Sequence, residues 1–254
     1  MCLIAFAWQV QPRWRLLLAG NRDEFHARSS AALARWAGAP LIGGRDLEAG
    51  GAWLGVTDTG RCAVVTNVRD PHDPQVGASR GRLVADYLAG SEDAATHARV
   101  LLDQAVHYRP FNLLLFDARA ACYLSNRPAS RTQELHPGVY GLSNAAALDP
   151  PWPKARRLTQ RMRTWLEADD DDFAPLFEAL ADERHPPDAE LPDTGVGLER
   201  ERWLSAAFIR GERYGTRAST VLAIDHAGRG VIVERRFGPG GRFEGQTMLH
   251  FGPG

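Results

Sequence analysis

Lysine is almost missing from this chain: Lys154 stands alone among 30 basic residues. Cysteine is scarce as well. Cys2, Cys62 and Cys122 are odd in number and far apart, which excludes a disulfide framework and points to free thiols in a reducing, cytoplasmic compartment. There is no CxxC pair, and the eight histidines show neither HxxxH nor HExxH spacing, so neither a metal site nor a cofactor is expected. The absence of CxxCH excludes c-type haem attachment. No excess of positive charge exists either. The net charge of −1 leaves nothing to neutralise phosphates, so nucleic acid is not an expected partner. No apolar run approaches the roughly 20 residues of a membrane span, and integral membrane association is excluded on that ground. The opening MCLIAFAWQVQPRW has no basic flank and no small-residue cleavage site, so it does not read as a signal peptide.

What is present is ordinary soluble composition, 44% hydrophobic and 24% charged over 254 residues, enough for one large core. Apolar strand patterns occupy 2–8 and 15–20, 52–57 and 61–67, then 111–117 and 121–125, with a short strand in HPGVYGLSNA. Helical spacing follows Ser79 and Ser91, each a candidate N-cap, and runs over 152–168 with Pro153 in the first turn. The acidic run Asp169–Asp172 reads as closing that helix and capping the next, over 173–182. Residues 183–198, rich in proline and acids, read as a loop or lid. Strands are expected again over 203–209, 218–225 and 230–237, with TMLHF closing the set. Strand and helix blocks are thus segregated. That order predicts a single α+β domain over 1–254, with two mostly antiparallel sheets stacked between helices in four αββα layers.

Hairpin arithmetic then brings polar residues together. A turn near 11–12 pairs positions that sum to about 23, so Cys2 falls opposite Asn21, Arg22 and Asp23. A turn near 59 sets Gly51 opposite Asn67 and GGAWLG beside TNVRD. Two readings of Cys2 stand at this point: a small residue filling the first strand, or an N-terminal nucleophile exposed by removal of Met1. Lys154, as the one lysine, is singled out without a role.

Cys2, NRDE at 21–24, GGAWLG at 50–55, TNVRDP at 66–71, SRG at 79–81, FNLLLFD at 111–117, GLSNA at 141–145, PWPK at 151–154 and YGTRASTVL at 214–222 occur in order. Together they resemble the NRDE family of transport and Golgi organisation proteins, over nearly the whole chain. Two departures are Ala206-Ala207-Phe208, where the family usually has Ser-Ile-Phe, and Ala218, where it often has Ser. The resemblance implies a fold like that of the N-terminal nucleophile (Ntn) hydrolases. It implies cleavage of a C–N amide bond in a small molecule by Cys2, with catalytic partners Arg22, Asp23, Asn67, Asn144 and Arg217. Asn21, Trp53 and Arg69 are expected to bind substrate. In the alternative, the same cleft binds or traffics a small apolar, acidic ligand such as haem without turnover, with Arg22, Arg69 and Arg217 as carboxylate partners.

Overall fold

The computed structural model describes residues 2–72, 76–168 and 171–254. Met1 lies outside this set, as do Asp169 and Asp170, so the expected removal of Met1 and the helix-ending role of that aspartate pair fall outside the described residues. Downstream, Asp172 accepts a hydrogen bond from the Ala174 amide at 2.8 Å.

Six strands open the chain: β1 (Cys2–Trp8), β2 (Trp14–Phe25), β3 (Ser30–Arg35), β4 (Ile42–Asp46), β5 (Leu54–Val56) and β6 (Cys62–Asn67). Two helices follow, α1 (Gly81–Ala89) and α2 (Ala94–Gln104). Strands β7 (Phe111–Phe116), β8 (Ala121–Ser125), β9 (Arg131–Glu134) and β10 (Gly138–Leu142) come next. Helices α3 (Pro153–Ala168), α4 (Ala174–Leu180) and α5 (Leu198–Trp203) precede β11 (Tyr214–Asp225), β12 (Gly230–Phe237) and β13 (Phe243–Phe251).

The strands form two antiparallel sheets, ordered β10-β1-β2-β11-β12-β13 and β3-β4-β5-β6-β7-β8-β9. Their inner faces meet in a shared core of Ile4, Phe6, Trp8, Leu16 and Leu18 against Val56, Val64, Leu114 and Phe116. The outer face of the first sheet (Leu3, Ala5, Ala7, Leu17, Ala19) packs on α3 and α4, through Leu158, Met162 and Leu180. The outer face of the second (Ala63, Val65, Leu113, Leu115) packs on α1 and α2, through Leu83, Val84 and Leu101. The molecule is therefore an αββα sandwich. Its central strands read as continuous apolar runs because both of their faces are covered. No helix among the described residues is long and apolar enough to cross a membrane.

Three local expectations change. Residues 203–209 are not a strand. Trp203 closes α5, and residues 204–209 form an irregular segment held by groups from elsewhere, with the Phe208 amide donating to Asp182 O and the Ile209 amide to Thr216 Oγ1, both at 2.9 Å. Asp93, not Ser91, caps α2, accepting from the Thr96 amide at 2.7 Å, and Ser79 is not a cap because α1 starts at Gly81 behind Arg80. Strand β2 does not stop at Gly20. It continues through Asn21-Arg22-Asp23-Glu24 because β11 pairs along that whole length, from Trp14 to Phe25. The segment expected as a loop over 183–198 is irregular apart from one 3₁₀ turn over Asp188–Glu190 and its last residue, Leu198, which opens α5.

Candidate active site

The β1–β2 register sets Cys2 opposite Arg22 and Leu3 opposite Asn21, a sum of 24 where about 23 was expected. Side chains alternate across a strand, so neighbours on β2 part company. Asn21 points to the helical side with Leu17 and Ala19. It is fully buried, its Nδ2 donating to Leu180 O and Ala207 O, each at 2.8 Å, and its Oδ1 accepting from Ser219 at 2.6 Å. The expected substrate contact of Asn21 is thus replaced by a structural one. Arg22 points into the gap between the sheets. Its Nη2 lies 3.4 Å from Asp46, a carboxylate that Arg28 holds at 2.6 Å. Asp23 is 1% exposed and accepts from Thr216 Oγ1 at 2.7 Å, and burial raises its carboxyl pKa.

The second sheet closes over this end. Asn67 ends β6, and Asn144, in the turn after β10, donates from Nδ2 to Asn67 O at 3.0 Å and to Asn67 Oδ1 at 2.9 Å. Asn144 therefore sits behind Asn67, and its own Oδ1 is buried with no hydrogen-bond partner among the described residues. A hydrogen-bonded chain leads from the same turn to the first strand. Thr66 Oγ1 donates to Ser143 O at 3.0 Å, and Ser143 Oγ donates to the carbonyl of Cys2 at 3.1 Å. Gly51 makes the closure possible: a Cβ there would sit 2.3 Å from the carbonyl carbon of Gly81, so the chain carrying Trp53 crosses the start of α1 in backbone contact.

The cavity between the sheets, open to solvent on one side, is about 720 Å³, a size suited to a small molecule. Cys2, Arg22, Asp23, Trp53, Asn67 and Arg217 line it. Cys2 is 6% exposed, and burial pushes its thiol pKa up. Arg217 sits at a break in the β2–β11 register, where a bulge re-aims the side chain. Its Nη1 donates to Phe25 O and Arg28 O, both at 3.0 Å, so it ties down the loop after β2 and does not reach Asp23. Arg69 is not on the cavity wall. Its Nη1 pairs with Glu201 at 2.7 Å, both side chains nearly buried, and its guanidinium lies 5.0 Å from the Trp152 ring. The expectation that it binds substrate is corrected: it anchors α5.

Residues 1–239 match the family model described as Transport and Golgi organisation 2. The chain belongs to the Transport and Golgi organisation 2 family. It is 32% identical to the Transport and Golgi organization protein 2 homologs of Bos taurus and Homo sapiens, with 92% of each chain covered in both comparisons. Among solved structures, the Caenorhabditis elegans ortholog of N-acylethanolamine-hydrolyzing acid amidase superposes with a TM-score of 0.51 at 12% identity, covering 87% of this chain and 92% of that one. At that identity the likeness shows the fold, which is that of the Ntn hydrolases.

In this Transport and Golgi organisation 2 family member, three positions near the cavity carry more than their sequence suggested. Lys154, in the first turn of α3, is 2% exposed and donates from Nζ to Leu204 O at 2.8 Å. Burial lowers its pKa to about 8, with Asp23, Arg69, Cys2 and Glu201 as the charges that face it. The lone lysine was the available signal. Ser143 and Thr66, which tether Cys2, lie inside the GLSNA and TNVRDP blocks, but nothing in their spacing separates them from ordinary turn residues.

Proposed function

We propose that this protein is an Ntn-type cysteine hydrolase, acting in the cytoplasm on a C–N amide bond of a small molecule, with Cys2 as nucleophile once Met1 is removed. The observation that carries this reading is the pairing of Cys2 with Arg22 on the cavity wall, beside buried Asp23 and opposite Asn67. Cysteine is small enough to permit removal of an initiator methionine, which leaves Cys2 with both a thiol and a free α-amine. That amine has an ordinary pKa of about 7.7–8.0 and accepts the thiol proton as sulfur attacks the amide carbon. A C–S bond forms and the carbonyl π pair moves onto oxygen. Asn67, held by Asn144, offers its Nδ2–H to that oxyanion, an interaction worth about 3 kcal/mol of barrier lowering in comparable sites. On collapse the C–N bond breaks, the ammonium returns its proton to the departing amine, and a thioester remains. Water, losing a proton to the same α-amine, attacks the thioester, releasing the carboxylic acid and the thiol. Asp23 holds the ammonium, and the Arg22 charge favours thiolate.

The test is intact-mass analysis of the purified protein after exposure to a panel of acyl amides and β-lactams. The expected result is loss of Met1 and a hydroxylamine-labile adduct on the wild type that is missing from Cys2→Ala. An equal adduct on Cys2→Ala overturns the assignment. A second reading, a carrier of an apolar, acidic ligand such as haem, is favoured by one observation: Cys2 is buried and its thiol pKa raised. In that case no adduct forms and ligand binding is indifferent to Cys2→Ala.

A further inference from the structure

The cavity has two unlike walls, and their chemistry narrows what it holds. On the side of α1, Arg80 and Arg109 come from adjacent segments joined by a bridge between Ala78 and Tyr108 and by the Arg109 amide donating to Ala78 O at 3.3 Å. Both arginines line the cavity. Arg80 is half-buried, and among the described residues its one side-chain hydrogen bond runs from Nη1 to Pro110 O at 3.2 Å, a carbonyl it shares with the Val68 amide next to Asn67. Among the described residues neither Arg80 nor Arg109 is paired with a carboxylate, whereas Arg22 and Arg28 both meet Asp46. Burial depresses the Arg80 pKa and the Arg109 charge adds to that, while Cys2 and Glu24 act against it, and no carboxylate is in contact with Arg80 among the described residues although Glu24 is on the same cavity.

Across the cavity the wall is aromatic. Phe25 stands edge-on to Tyr214 at 5.0 Å, and Trp203 lies 5.4 Å from the same ring. Phe25 is 55% and Trp203 42% exposed, so this apolar surface is open. Cys2 lines the same cavity as Arg80 and Tyr214.

We infer that the cavity selects a molecule with an apolar half, laid on Phe25, Tyr214 and Trp203, and a half ending in an oxyanion, held by Arg80 and Arg109. Under the hydrolase reading, on which the choice of an amide rests, the substrate is an acyl amide whose two halves differ in this way. Planar guanidinium donors match carboxylate and phosphate oxygens alike, so either group satisfies the wall. A neutral amide leaves two adjacent cations without a partner.

Cys2→Ala protein separates this inference from turnover. Binding is followed by quenching of tryptophan emission, since Trp53 and Trp203 both line the cavity. The probes are N-decanoylglycine, N-decanoyl-aminoethyl phosphate and neutral N-decanoylethanolamine. At least one anionic probe is expected to bind about tenfold or more tighter than the neutral one, the scale of a charge-assisted hydrogen bond. Whichever anion binds tighter identifies the oxyanion as carboxylate or phosphate. Arg80→Met is expected to abolish the preference while leaving the neutral probe's affinity unchanged, and Arg80→Lys to restore part of it. Arg109→Met, at an exposed position that does not threaten folding, is expected to reduce the preference about threefold, with the loss fading at high salt. Equal binding of all three probes, no binding of any, or a preference untouched in both Met variants overturns the inference. Discrimination by Cys2→Ala together with no hydrolysis by the wild type would leave it standing and sink the hydrolase reading instead.

Discussion

The same two strands, β1 and β2, are built differently at their two ends. At one end the gap between the sheets is filled. Phe6 stacks on Tyr140 at 5.2 Å and meets Phe116 edge-on at 5.3 Å, and Trp8 lies 5.8 Å from Phe116. At the other end the inward positions are Cys2, Gly20 and Arg22, and the gap is a cavity. A Cβ on Gly20 would come within 3.0 Å of Leu3 O and 3.5 Å of the Trp53 ring, so even a methyl group would crowd this floor. The sandwich is packed with aromatic rings at one end and lined with small or charged side chains at the other.

Exchanging the two ends' most characteristic residues separates activity from stability. Cys2→Ala is expected to lower kcat/KM for any amide substrate on the order of 10⁴-fold or more, to background, because no other residue forms the thioester. It should cost only about 1–2 kcal/mol of stability, the scale of a small buried truncation. Denaturant unfolding alongside a hydrolysis assay checks both. Phe6→Ala at the filled end should do the reverse, with about 3–5 kcal/mol lost in unfolding free energy. Its residual folded fraction should acylate at the wild-type rate. A Phe6→Ala protein that is fully stable would mean that the aromatic end is not where the sandwich is held.

The buried charges behind the cavity sharpen the comparison through pH. Lys154 has its pKa lowered by burial from 10.5 to about 8. Below pH 8 it is protonated folded and unfolded alike, and the folded state bears the full cost of a buried cation. Between about 8 and 10.5 the unfolded chain binds more protons than the folded one, so this residue's contribution to stability rises with pH. The gain should reach about 3 kcal/mol across that window. Buried thiols work in the opposite direction: Cys122, with a pKa pushed up to about 11, holds its proton longer when folded. The readout is therefore the difference in unfolding free energy between wild type and Lys154→Met, measured from pH 7 to 11. A flat difference would place Lys154 in water rather than in the interior.

Much of this was legible in the chain, and the reasons it stopped are physical. The central strands announced themselves because burial on both faces forces continuous apolar runs, as in CLIAFAW and FNLLLF. Strands β3 (SAALAR), β4 (IGGRD) and β9 (RTQE) did not. They lie at or near the edges of their sheet, where exposed positions accept alanine and polar residues. Segment 203–209 has the apolar content of a strand, yet Thr216, Asn21 and Asp182 O satisfy its backbone groups in place of a ladder. The hairpin register placed Cys2 beside NRDE to within one residue, because a tight turn fixes pairing arithmetically. Register does not reveal which face each side chain takes at a strand end. Sequence pattern alone therefore groups Asn21 and Arg69 with the cavity, although one faces α4 and the other is paired with Glu201. Arg80 does not stand out in the sequence for a related reason: that it meets no carboxylate among the described residues depends on its surroundings in the fold, and sequence spacing does not register that.

Asn21 and Arg22 give the smallest and most local form of the comparison, since adjacent residues of one strand serve opposite sides of the sheet. Asn21 closes three hydrogen bonds with groups from β11, α4 and the 203–209 segment. Asn21→Ala would leave the carbonyls of Leu180 and Ala207 and the hydroxyl of Ser219 without that partner in a fully buried place. Unmet buried polar groups of this kind cost about 1–3 kcal/mol each, with relaxation of the 203–209 segment recovering part, so a net loss of about 2 kcal/mol is expected. Ligand affinity should not move, because the side chain never enters the cavity. Arg22→Ala should show the opposite pattern, with little change in unfolding free energy, since its contact with Asp46 is long and Arg28 already holds that carboxylate. Its effect should appear in Cys2 reactivity, as slower alkylation by iodoacetamide at fixed pH. If Asn21→Ala weakens ligand binding while stability is unchanged, the alternation of faces has been misassigned at this end of β2, and the cavity floor must be redrawn with Asn21 on it.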